Sequence, residues 1–203
     1  MNLKQIVNRY VCPMASLPIF DSYVSNSSET ARDIKAAMRV AGEEIARRAE
    51  WQELYKTNVI ASGSTTYDLP SDFHRLINGN AIALEATPFT PIPYIRAADV
   101  WSFANASPSS QPYFSVKNGL IRFIPTLTAD ARLRYISKNW ILSGDTEVDD
   151  ITSDDDVAFF SAQLLGLGTL MRYKRAKGLA YQDIADEFEA RLAIEIAADR
   201  GLT

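Results

Sequence analysis

The chain has 203 residues, of which 47% are hydrophobic and 23% charged, values that suit a globular protein able to bury a core of its own. Its 21 Lys and Arg against 25 Asp and Glu give a net charge of −4, which argues against a nucleic-acid binder held by bulk positive charge. The single cysteine, Cys12, and single histidine, His74, exclude a Cys/His zinc cluster and an intrachain disulfide, so nothing points to an oxidising compartment.

The start carries Lys4 and Arg9, but Asn8, Arg9, Pro13 and Pro18 break its apolar stretch, unlike a signal peptide. Leu3, Ile6, Val7 and Tyr10 predict a short amphipathic helix, followed by an irregular segment. From Ser28 to Tyr55 the pattern is helical. Ser28 is the expected N-cap, with Glu29 and Asp33 placing negative charge near the positive end of the dipole. Ala31, Ile34, Met38, Ala41 and Ile45 recur at helical spacing as one buried stripe, and Trp51 and Leu54 extend it. Arg32, Lys35, Arg39, Glu43 and Arg47 fall mainly on the other side.

The period then changes. Short β-branched and aromatic runs separated by Gly, Pro, Asn and Ser predict strands at 58–61, 66–68, 82–84, 90–95, 114–116, 120–124 and 132–138. Asn118-Gly119 marks the clearest hairpin, because both residues tolerate the positive φ of a tight turn. Residues 99–105 read as one or two helical turns before a loop at 106–112. After an acidic stretch, a helix is expected over 156–176, capped by Asp154 or Asp155 and stopped at Gly178. Its apolar run, 157–171, is too short for a bilayer and is interrupted by Ser161, Gln163 and Thr169. A soluble protein made in a cytoplasm is expected. A last helix over 181–199 carries the stripe Tyr181, Ile184, Phe188, Leu192 and Ile196, with Glu187 and Arg191 four apart.

Neither helical end can bury its stripe alone, so the two are expected to pack together. The predicted class is α+β: a helical bundle formed by the N- and C-terminal segments, with an inserted antiparallel β region. The expected parts are 1–57 (helical), 58–143 (the β insertion) and 144–203 (acidic loop and the helices completing the bundle).

Catalytic signals are sparse. His74 follows a Pro turn without a nucleophile elbow, and Cys12 has no basic neighbour beyond Arg9, as suits a small apolar filler. Gly166-Leu167-Gly168 sits inside the apolar helix, where glycines permit close packing, and not after a strand as a dinucleotide site requires. No cofactor is implied. The run Asp145, Glu147, Asp149, Asp150, Asp154, Asp155, Asp156 imitates the start of a calcium loop. It has Asp150 where the loop needs Gly and Asp156 where it needs Glu. It reads instead as a solvated loop ending in a helix cap, or as carboxylates that repel phosphates if the chain lines a DNA channel. The block Arg172-Tyr173-Lys174-Arg175-Ala176-Lys177 closes a helix, where cations offset the dipole, or else meets an acidic partner.

Two stretches together resemble a known family. The helix ending Trp51-Gln52-Glu53-Leu54 leads into Tyr67-Asp68-Leu69-Pro70-Ser71-Asp72-Phe73, and Lys174-Arg175-Ala176-Lys177-Gly178-Leu179-Ala180-Tyr181 precedes an acidic amphipathic helix. In order and spacing these are similar to tailed-bacteriophage head-to-tail adaptor (connector) proteins. The resemblance implies a structural virion protein. Such adaptors form a ring, usually dodecameric, beneath the portal protein, extend the DNA channel and present a platform to tail or nozzle proteins. Carried onto this chain, the resemblance implies portal contact through the C-terminal region 181–203, with Arg172, Lys174, Arg175, Lys177, Tyr181, Phe188 and Arg191 as candidate residues. Trp101 and Phe103, on a polar loop, become candidates for subunit or tail contact. Asp145, Glu147, Asp149 and Asp150 become candidates for a channel wall that lets DNA pass without sequence-specific binding. Two other classes compete: a virion-associated cell-wall hydrolase, which a peptidoglycan digestion assay would reveal, and a cytosolic non-enzymatic binding domain with no affinity for capsid parts.

Overall fold

The structure is a computed structural model and describes residues 1–86, 88–106 and 110–201. In chain order, α1 (Leu3–Ile6) runs into a π-helical turn (Val7–Val11), then α2 (Glu29–Arg48) and a 3-10 turn (Gln52–Leu54). The middle holds β1 (Tyr55–Ile60), β2 (Thr66–Asp68), β3 (Phe73–Leu76), β4 (Ile82–Leu84), β5 (Thr90–Pro91), α3 (Ala98–Ala106), β6 (Tyr113–Lys117), β7 (Leu120–Ile124) and β8 (Ala131–Ser137). The chain ends with β9 (Ile141–Ser143), β10 (Thr146–Val148), β11 (Val157–Ala158), α4 (Ala162–Ala176) and α5 (Gln182–Asp199). Two compact units result: Met1–Leu54 with Lys138–Thr203, and Tyr55–Ser137.

The expected helical bundle with a β insertion does not hold. The described residues form five helices and 11 strands in three sheets, strands dominate the middle of the chain, and one sheet belongs to the helical unit itself. That sheet, in the order β10-β9-β11, joins the end of the predicted β region (β9), the stretch read as a solvated acidic loop (β10) and the start of the predicted helix over 156–176 (β11). Ile141 pairs with Val148 and Leu142 with Glu147 across a turn in which Gly144 takes φ +59, a conformation open to glycine. Val157 and Ala158 return antiparallel on Leu142 and Ile141. Strands of two and three residues carry too few alternations to register as a period. The same pairing displaces the start of the next helix. It begins at Ala162, not near Asp156, and Ser161 caps it by accepting the Leu164 N–H at 3.2 Å.

In the helical unit, Ser28 caps α2 as its sequence predicts, accepting the Ala31 N–H at 3.2 Å. The predicted stripe Ala31, Ile34, Met38, Ala41 and Ile45 is buried throughout. α4 lies against both α2 and α5 and is buried on several faces. Its glycines set the spacing. A Cβ at Gly166 would stand 2.5 Å from Tyr10 Cβ, and one at Gly168 would stand 3.0 Å from the Phe188 ring and 3.2 Å from Ala41. Trp51 closes the core at one end, donating its indole N–H to the Ile45 carbonyl at 2.7 Å and packing on Phe160 at 5.4 Å between ring centroids.

The second unit has two sheets. β8 is central to the larger one, in the order β1-β8-β4-β5 with β3 also on β8, and the smaller runs β2-β7-β6. Ile60, Ile82, Phe114, Ile121, Phe123, Leu133 and Tyr135 form the core. The β6–β7 hairpin turns on Asn118 (φ 54) and Gly119 (φ 76), as the Asn-Gly pair requires. The Tyr67–Phe73 motif is held by structural bonds. The Leu69 N–H donates to the Gly119 carbonyl at 3.0 Å, the Phe73 N–H to the Pro70 carbonyl at 2.9 Å, and the Tyr135 hydroxyl to Asp72 at 2.9 Å.

Candidate interaction surfaces

The basic block is first a helix ending. Gly178 takes φ +69, its N–H donates to the Arg175 carbonyl, and the Leu179 N–H donates to the Lys174 carbonyl at 2.9 Å. This double bond pattern satisfies the last carbonyls of α4. Two of its cations tie α4 to α2. Lys177 Nζ lies 2.6 Å from Asp33 and 3.1 Å from Glu29, and these carboxylates raise its pKa above the ordinary lysine value. Arg172 pairs with Glu44. Lys174 is half-buried and Arg175 is exposed. Beside Arg175, a groove of about 470 Å3 runs between α2 and α4 over Ala36, Ala37 and Val40.

α5 has two faces. Ile184, Phe188 and Leu192 are buried, so the predicted stripe is real along its middle. Phe188 is 1% exposed against Gly168 and therefore lies inside the chain, away from its surface. Arg191 pairs with Glu195 at 2.7 Å, one turn onward, and not with the Glu187 that its spacing offered. Tyr181 is half-buried at the start of the helix. The opposite face carries Ala190, Ala193 and the 60% exposed Ile194, with half-buried Ala197 completing a helical stripe. This second stripe was missed from the sequence, although its i, i+3, i+4, i+7 spacing was there to read. Residues 202 and 203 of the region assigned to the portal lie outside the described residues.

The acidic segment divides between structural and exposed carboxylates. Asp156 is buried and accepts the N–H groups of Thr152 at 2.7 Å and Ser153 at 2.8 Å. Burial alone would raise its pKa, but these bonds and one from Ser143 outweigh it and hold the carboxyl below its ordinary value. Asp154 accepts the N–H groups of Tyr23 at 3.1 Å and Val24 at 2.9 Å, anchoring the segment before α2. Asp149 bonds Lys138 at 2.7 Å, which lowers its pKa, and Asp150 lies 3.8 Å from Arg39. Glu147 is half-buried, with its carbonyl accepting from Asn139 at 2.9 Å, while Asp145 is exposed on the turn.

α3 is unlike the other helices: none of its nine residues is buried. Phe103 is 76% exposed and Val100 49%, while Trp101 is half-buried. Of the predicted loop 106–112, residues 107–109 lie outside the described residues.

His74 sits at a β-bulge between Phe73 and Arg75, and Cys12 is buried, which raises its thiol pKa. Among the described residues, no group of three or more His, Cys, Asp or Glu side chains could hold a metal ion. No helix among them is long and apolar enough to cross a membrane.

Exposed apolar side chains on α3 and α5 mark surfaces of the kind that other proteins cover. A family model described as SU10 adaptor protein matches residues 1–202, and the chain belongs to that family. This agrees with the adaptor resemblance carried by the Tyr67–Phe73 and Lys174–Tyr181 motifs. The family is one of phage adaptors, which implies a place in the virion and contact with other head and tail proteins. No curated protein matches the chain.

Proposed function

We propose that this chain is the subunit of a non-enzymatic ring, dodecameric as in the adaptors it resembles. The ring docks beneath the portal, extends the DNA channel and carries the tail or nozzle proteins. The observation that carries this reading is the family match over 1–202, to which the second apolar stripe of α5 adds a docking face. A helix that buries Phe188 on one side and exposes Ile194 on the other fits the portal contact assigned to the C-terminal region. Arg175, beside the groove between α2 and α4, and Lys174 stand at the end of α4, while Lys177 and Arg172 serve the fold through their ion pairs. Asp145 is the strongest candidate for the channel wall. Asp149 and Asp150 each face a cation of the same chain, which reduces the field they would present to passing DNA.

Particles assembled without this protein test the reading. DNA-filled heads that lack tails are expected, restored to tailed particles by adding the purified chain. Normally tailed particles made without it would contradict the proposal.

A further inference from the structure

α3 poses a physical problem. A nine-residue helix is marginal in water without tertiary packing, yet this one buries no residue and projects Phe103 and Val100 outward. Its own unit covers only the Trp101 side, which leaves the Val100 and Phe103 side uncovered among the described residues. The same unit also carries an open groove of about 450 Å3, bounded by the ends of β3, the segment after it, and β6. Its apolar wall includes Phe73, Leu76 and Val116, and a stacked pair, Tyr94 on Phe114 at 5.0 Å between centroids. Tyr94 itself is 41% exposed.

The helix and the groove carry opposite charge. The groove is lined by two arginines, Arg75 and Arg96, and by no acid, with Arg96 lying over the Tyr94 ring. Asp99, in the first turn, is the only charged residue of α3. An aromatic wall suits an entering Phe ring, which gains from offset or edge contact beyond its burial. A knob and a different hole on one chain make a head-to-tail contact, the kind that generates rings when the rotation closes.

We infer that α3 of one copy seats Phe103 and Val100 in the groove lined by Phe73, Tyr94 and Phe114 of the next copy, with Asp99 near its arginines. The inference rests on the ring reading and names the contact that closes it. It takes the subunit alternative for Trp101 and Phe103 over the tail alternative. Half-buried Trp101 holds α3 from its own side, beside a hollow that includes Ser115, Lys117 and Arg122.

The test is a double variant that keeps Phe103, Ala106→Cys one turn further along α3 with Asn78→Cys at the exposed rim of the groove, treated with a short bis-maleimide in rings assembled on the portal. Cys12 is buried and contributes little background. A ladder of cross-linked oligomers is expected, with each single variant giving dimers at most. Cross-links confined within single chains would overturn the inference, because α3 would then be closing on its own groove. Rings on the portal without cross-links between copies would overturn it and leave the ring reading standing, with α3 facing a tail protein. The absence of any ring would overturn both. Independently, Phe103→Glu should lower ring formation at least about tenfold, the loss of a central aromatic anchor, with thermal melting unchanged. Undiminished ring formation would overturn the inference.

Discussion

Gly42 lies flat against the indole of Trp140: a Cβ at position 42 would stand 2.4 Å from two of its ring carbons. Trp140 is fully buried and stacks on Phe160 at 6.1 Å between centroids, which in turn packs on Trp51. A glycine inside a 20-residue helix thus admits a fully buried tryptophan side chain of the unit's core.

Gly42→Ala tests that relationship. Alanine gains about 1 kcal/mol in helix propensity. Overpacking against a ring with no room to retreat costs about 1–3 kcal/mol. Net destabilisation is expected, read as a lower urea midpoint, and it should shrink by about 0.5 kcal/mol or more in a Trp140→Phe background. A Gly42→Ala protein more stable than wild type would show that the indole has space to move.

Asp156 makes stability depend on pH in one direction. Its carboxyl is held below the ordinary value of about 3.9 in the folded state. Its contribution is therefore complete above that pH and is lost as pH falls through the lower folded value. Asp156→Asn should cost about 1.5–3 kcal/mol at pH 7, the scale of hydrogen bonds to a charged group. The gap between variant and wild type should close as pH falls through that lowered folded value. Urea midpoints across that range check it, and a gap independent of pH would contradict it.

The ion pairs of Lys177 with Glu29 and Asp33 lie at the surface, where water and salt screen them. Lys177→Ala should leave the urea midpoint nearly unchanged. A clearly lowered midpoint would mean the pairs lock α4 to α2.

The two faces of α5 predict opposite phenotypes. Phe188→Ala empties a buried site and should cost about 3–5 kcal/mol in chemical denaturation. Ile194→Asp, on the exposed stripe, should leave stability within about 0.5 kcal/mol yet abolish capture by immobilised portal. Ile194→Asp protein captured as well as wild type would clear that stripe of the contact.

Much of this was readable in the residues, for reasons that are local. The α2 stripe repeats over enough turns to outweigh single exceptions, Asn118-Gly119 has one favourable backbone outcome, and Gly178 ends α4 through φ +69. The glycines of α4 face Tyr10 and Phe188, as close packing requires. What escaped notice depends on partners distant in sequence. β9, β10 and β11 are each two or three residues long, and pairing alone reveals them. Asp156 reads as the start of a helix capped by Asp154 or Asp155 until Ile141 and Leu142 draw its neighbours into a strand. Arg191 had acids available on both sides, and its neighbours in space decided for Glu195. Among the candidate contact residues, Phe188 shows the limit: a stripe identifies the buried face without saying that α5 has a second one.

The central claim is that this chain forms a ring seated on a portal. Electron microscopy of the purified protein mixed with intact rings of its cognate portal tests it most directly. The account predicts two coaxial rings, with α5 of the adaptor against the portal. Portal rings that stay bare at adaptor concentrations well above their own would contradict it.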